Sequence, residues 1–156
     1  MTPRIELDDA AAYIAALTGS ADTSVTFQTF SDRKPARAPA GWKDPLARVL
    51  HGTLERHAPE LVKLNAAGAG IFLMVAEGDG KGRAARNVQR LRAVFTDDDQ
   101  NTRKARALPS SFSVESKAGD HNYWMLHPGT PLEAFTPIQK RLAAYYGTDS
   151  SVHDLP

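Results

Sequence analysis

The segment Leu91-Arg-Ala-Val-Phe-Thr-Asp-Asp-Asp99 constrains this chain most: an apolar, β-favouring run ends in three consecutive carboxylates. Side chains alternate along an extended chain, so Asp97 and Asp99 share one face and Asp98 points away. Two carboxylates about 7 Å apart on one strand face repel each other and gain nothing from packing. A divalent cation removes that repulsion. Hard oxygen ligands suit Mg²⁺ or Mn²⁺, and such sites hold metals that also touch substrate phosphates. The competing reading is a solvated acidic turn.

With 156 residues, the chain suffices for one domain with a real core. Its hydrophobic content of 42% and charged content of 24% are those of a soluble globular protein. No apolar run is long enough to span a bilayer, and the polar, acidic start carries no signal-peptide pattern. The absence of cysteine excludes disulfides, thiolate nucleophiles and cysteine zinc sites. No histidine pair has convincing zinc spacing either. A cytoplasmic location with no membrane partner is expected. The net charge of +1 hides a basic loop at Arg33–Arg37 and basic stretches at Lys81–Arg92 and Arg103–Arg106, the latter two on either side of the acidic cluster, an arrangement suited to a metal site handling phosphates.

Asp8 to Gly19 reads as a helix with acidic residues first and glycine past its end. Ser24 to Phe30 alternates as a strand, and a Pro/Ala/Arg loop follows to Gly41. Asp44-Pro45 predicts the start of a helix through about His57, and Pro59 the start of another to Asn65, placing His51 and His57 on helices. Ile71 to Val75 is fully apolar and is expected to be a central strand. Further strands are predicted over Gln89–Asp97, Ser111–Glu115 and Asn122–Leu126, with an amphipathic helix over Pro137–Tyr146 closed by Gly147. Tyr123 and Trp124 read as hairpin core. This order predicts an α+β domain with a mostly antiparallel sheet backed by helices.

An acidic Asp-x-Asp ending a strand, a hairpin carrying Ser116-Lys-Ala-Gly-Asp-His121-Asn-Tyr-Trp124, and a helix leading to Gly147-Thr-Asp149 follow one another. The chain resembles the archaeo-eukaryotic primase superfamily, in particular the RepB-like primase-polymerase domains of plasmid and phage replication proteins. Asn65-Ala-Ala-Gly-Ala-Gly-Ile-Phe-Leu and Asn87-Val-Gln-Arg-Leu-Arg-Ala-Val-Phe add to the likeness, which spans about Phe27 to the C-terminus. The resemblance implies an RRM-like primase core flanked by helices, with an N-terminal αβ unit. It implies a single catalytic domain over residues 1–156, ending ahead of the family's arginine-bearing third-motif segment. Asp98 stands where the family usually has an apolar residue, and Asp120 where a basic one is common.

Carried over, Asp97, Asp99 and Asp149 are implied metal ligands and catalytic residues, with Asp154 a rival for the last place. His121 is the implied triphosphate contact, and Ser116 and Lys117 in the same turn are candidate phosphate contacts. Arg90 and Arg92, alternating on their strand, are candidate DNA contacts. The implied activity is DNA primase/polymerase: a 3′-hydroxyl attacks a nucleoside triphosphate at a two-metal Mg²⁺ or Mn²⁺ site. The implied partners are nucleoside triphosphates, a single-stranded DNA template and a helicase domain or protein. Two rivals use the same residues differently. A metal-dependent nuclease would use Asp97 or Asp99 with Glu115 and Lys117, and a non-catalytic replication-initiator module would use only the basic loops. Tyr145-Tyr146 faintly suggests strand nicking, but no His-apolar-His metal motif accompanies it.

Overall fold

The alternating residues after Gly19 build strand β1 (Val25–Ser31), whose two edges pair antiparallel with β2 (Arg48–Gly52) and β3 (Ala69–Leu73) in the order β2-β1-β3. The computed structural model describes residues 5–33, 39–99, 108–116 and 119–155. The chain divides into two compact units, Met1–Met74 with Gly78–Arg83, and Val75–Glu77 with Ala84–Pro156. The fold class is α+β, as the element order predicts.

In the first unit, helices α1 (Leu7–Thr18) and α2 (Leu54–Ala66) bury Ile14, Leu54 and Leu61 with Val25 and Phe27 of β1. Helix α1 ends at Gly19 as expected. The helix expected from Asp44 to His57 does not form. The Asp44 carboxylate instead accepts from Ser31 N–H at 2.8 Å, Ser31 Oγ at 2.5 Å and Leu46 N–H at 2.9 Å. It therefore ties a turn to the end of β1, and the chain beyond, with His51, becomes strand β2. Gly52 closes that strand at φ 149°, where a Cβ would meet His57 Nε2 at 2.8 Å. Thr53 then caps α2, accepting from Arg56 N–H at 3.3 Å. The helix runs through Pro59, which forgoes one backbone bond but does not begin a second helix.

Strand β3 is an edge rather than the expected centre. Ile71 and Leu73 pack on the core while Phe72, between them, is 51% exposed. The apolar run reads as central because Met74, Val75 and Ala76 are also buried, but beyond the strand's end.

Strands β4 (Glu77–Gly78) and β5 (Val88–Arg90) form a two-stranded sheet. Strands β6 (Ala93–Asp98), β7 (Phe112–Glu115) and β8 (Asp120–Met125) form an antiparallel sheet in the order β6-β8-β7. The strand expected over Gln89–Asp97 is broken, because Leu91 and Arg92 turn inward between β5 and β6 and are 1% and 5% exposed. Helix α3 (Phe135–Tyr146) packs Phe135 and Tyr146 against Leu91, Val94 and Trp124. Trp124 stacks on Tyr146, and Tyr123 lies between Phe95 and Phe112. Both residues are hairpin core, as expected. No helix among the described residues is long and apolar enough to cross a membrane.

Leu61 is fully buried at the centre of the first unit. Leu61→Ala is expected to lower unfolding free energy by about 2–5 kcal/mol through lost transfer energy plus a cavity. A urea titration of the two proteins measures the difference.

Candidate functional site

Residues paired directly across an antiparallel sheet project to the same face. The register Asp97↔His121↔Val114 therefore sets the Asp97 carboxylate beside the His121 imidazole, with Oδ1 and Nε2 3.2 Å apart. Asp98, Asp120 and Glu115 form the next row and project to the opposite face. Asp99 lies one residue past the strand end and is exposed. One ligand atom each from Asp97, Asp99 and His121 lie within 4.8 Å of one another.

The turn between β7 and β8 makes this approach possible. A Cβ on Gly119 would run into the Asp98 carbonyl, so glycine alone lets the turn cross the end of β6. Ser116 closes the same turn: its N–H and Oγ donate to the Gly119 carbonyl at 2.8 and 2.9 Å, and its Oγ accepts from Gly119 N–H at 3.2 Å. Lys117 lies outside the described residues.

The segment after α3 completes the surroundings. Asp149 N–H donates to the Asp97 carbonyl at 3.1 Å. A cleft of about 340 Å³ is lined by Asp97, Asp98, Asp99 and Gly147 to Ser150. Asp149 thus joins Asp97 and Asp99 at one cleft, but its carboxylate accepts from Ser151 N–H and Oγ, both at 2.8 Å. Those bonds hold its pKa below the usual carboxylate range. Asp154, its rival, is exposed beside His153 and does not line the cleft.

Burial pushes the Asp97 carboxyl above its ordinary range; His121 pulls it back, and the Asp99 and Asp149 carboxylates push it further up. Its Oδ1 is sealed from solvent with no geometric hydrogen-bond partner among the described residues, although His121 Nε2 lies 3.2 Å away. Thr148 Oγ1 is sealed without a partner in the same way. A carboxylate oxygen of this kind among like charges suits a cation, and Asp97, Asp99 and His121 together could hold a metal ion.

The arginines sit elsewhere in the unit. Arg90 is exposed on β5, and its Nε and Nη2 donate to Glu77 Oε2 at 2.9 and 2.7 Å. Arg92 is buried at the break before β6, where Nη1 donates to the Ala76 carbonyl at 3.2 Å. The two therefore do not alternate along one strand.

Sequence reasoning passed over Gln139, a fully buried amide hydrogen-bonded to β6. Its signal is positional: it falls four residues after Phe135 and four before Ala143, both buried, so a polar group occupies the apolar face of α3.

No protein-family model and no curated protein matches the sequence. Among solved structures, the chain is similar to the AEP domain of the cyanophage S-2L primase-polymerase, with a TM-score of 0.67 and 20% identity over 97% of this chain and 79% of that one. This chain shares the fold of that domain. The likeness agrees with the α+β class read from the sequence.

A carboxyl whose pKa is raised by folding holds its proton more tightly in the native than in the unfolded chain. Its stabilising contribution is therefore present below the ordinary carboxylate pKa and lost as pH rises through the raised value. With EDTA at pH 7, Asp97→Asn is expected to melt above wild type, the gap closing on acidification. Adding Mn²⁺ should raise the wild-type melting temperature alone. Thermal scans across pH with both proteins check the sign.

Proposed function

We propose that this domain catalyses metal-dependent nucleotidyl transfer as a DNA primase/polymerase of plasmid or phage replication. The supporting observation is the convergence of Asp97, Asp99 and His121 within 4.8 Å at the end of β6, in a chain with the primase-polymerase fold. In the reaction, the 3′-hydroxyl of one nucleotide bonds to the α-phosphorus of an incoming nucleoside triphosphate. The bond to the bridging oxygen breaks, pyrophosphate leaves and the hydroxyl proton passes to solvent.

Asp97, Asp99 and Asp149 would hold Mg²⁺ or Mn²⁺. The bound cations supply charge neutralisation for the attacking and leaving oxygens. The chain's own part is positioning and charge. His121, with Nε2 3.2 Å from Asp97 Oδ1, is the proposed imidazole contact to the triphosphate. Lys117 is the second proposed phosphate contact. Ser116, with its hydroxyl engaged inside the turn, shapes the loop that carries them. Arg90, exposed on β5, is the proposed contact to a single-stranded DNA template; Arg92 lies buried behind it and shares Glu77 at 4.0 Å.

The nuclease reading loses its second carboxylate. Glu115 pairs with Asp120, in the row that projects away from Asp97. Strand nicking by paired tyrosines also lacks support, because Tyr146 is buried against Trp124 while Tyr145 is exposed.

Asp97→Ala and Asp99→Ala are each expected to reduce nucleotide incorporation more than about 100-fold while leaving the far-UV circular dichroism unchanged. Labelled primer–template DNA with Mg²⁺ or Mn²⁺, with and without nucleotides, is the assay. Extension that survives both substitutions would refute the site, and shortened strands would indicate a nuclease. His121→Ala should weaken nucleoside triphosphate binding in the presence of Mn²⁺ by about 10–100-fold, the loss of one charge-assisted hydrogen bond. Calorimetric titration of the two proteins measures it.

A further inference from the structure

We infer that Gln139 is a positioning residue that fixes the distance between the strand bearing Asp97 and the loop bearing Asp149. The inference rests on the proposed cation site. Gln139 is 1% exposed on α3, and its side-chain amide has every group engaged. Oε1 accepts from Phe95 N–H at 2.8 Å, and Nε2 donates to the Phe95 carbonyl and to the Val152 carbonyl, both at 3.0 Å. Turning the amide over would set N–H against N–H and oxygen against two carbonyls, so its partners dictate one orientation.

Phe95 lies two residues before Asp97 on the same edge of β6, and Val152 three residues after Asp149. The Asp149 N–H bond to the Asp97 carbonyl at 3.1 Å closes a ring: Gln139 to Phe95, along β6 to Asp97, across to Asp149, along the loop to Val152, and back to Gln139. Within this ring one amide holds two segments remote in sequence. Both carry carboxylates, Asp97 and Asp149, that line one cleft. Gln139 touches no reacting group. It acts through the two backbones, as the outer partners of metal ligands do.

The buried amide is not explained by packing alone, since a similarly sized apolar residue would suit the apolar face of α3. Gln139→Met retains bulk and removes all three bonds, leaving Phe95 N–H and two carbonyls unpaired. Gln139→Glu retains the acceptor for Phe95 N–H but sets a carboxylate against the two carbonyls. It serves as the second variant should Gln139→Met not fold.

The test is calorimetric titration of the full chain with Mn²⁺ alone, beside hydrogen exchange at the Phe95 amide. Leu61→Ala, in the other unit's core, is the control for destabilisation alone. Both Gln139 variants are expected to bind Mn²⁺ about 10–100-fold more weakly than wild type. In Gln139→Met, Phe95 should also exchange faster, while Leu61→Ala should bind as wild type does. Wild-type Mn²⁺ affinity in the Gln139 variants, with binding lost in Asp97→Asn, would overturn the role of Gln139 and leave the cation site standing. An equal loss in Leu61→Ala would overturn it as well. Absence of Mn²⁺ binding by wild type would overturn the cation site and this inference together.

Discussion

Everything at the candidate site follows from the register in which β6 lies against β8. Val94 and Trp124 must turn toward α3, and Phe95 and Tyr123 must stack on the other face. A slip of one residue would exchange these faces along the whole pair. The apolar residues pin the alignment, and the alignment then leaves Asp97 and His121 no choice but to meet. The polar residues contribute little to this choice, since Asp97 is held half-buried at an energetic disadvantage among other carboxylates. Hydrophobic burial in one half of the strand thus enforces an electrostatically unfavourable arrangement in the other half.

Such enforcement is how a fold stores the capacity to bind cations. Carboxylates on flexible segments separate when no cation is present, and binding must then bring them together again. Here the strand end, the turn made passable by Gly119 and the loop joined to Asp97 through Asp149 N–H hold the groups close beforehand. The strain appears as the raised pKa of Asp97 and its sealed, unhydrogen-bonded oxygen. For the proposed cation site, the same features would be a cost to stability without a ligand and a source of affinity with one.

The parts of the fold legible in the sequence were those governed by local chemistry. Alternation gave β1, β7 and β8 to within about two residues, as expected where strands are bounded by turn residues. Glycine past an amphipathic run marked the ends of α1 and α3. The failures came where a partner distant in sequence decided the outcome. Asp44 looks like a helix cap until Ser31 takes its carboxylate. The run from Ile71 looks central until its position at the sheet edge is known. Arg90 and Arg92 look like alternating strand neighbours until Leu91 and Arg92 turn inward. For the site, period-two alternation sufficed to put Asp97 and Asp99 together and Asp98 apart. The meeting with His121 required the family's order of motifs, because nothing local fixes which residues of two strands will pair. Gln139 was illegible for the same reason: its partners lie 44 and 13 residues away.

Among the described residues, a side chain rather than another strand completes the outer edge of β6. An unpaired edge exposes backbone donors and acceptors that invite pairing with other chains. A fourth strand would satisfy them, but it would also occupy the space beside Asp97 and Asp99 that the cleft now provides. The amide of Gln139 satisfies both groups of Phe95, and the loop contributes one N–H to Asp97. Among the described residues, the edge is closed at Phe95 and left open where the carboxylates emerge. A helix side chain can end its coverage at a single residue, which a paired strand cannot do, and this lets one short strand serve as core at its start and as the wall of an open site at its end.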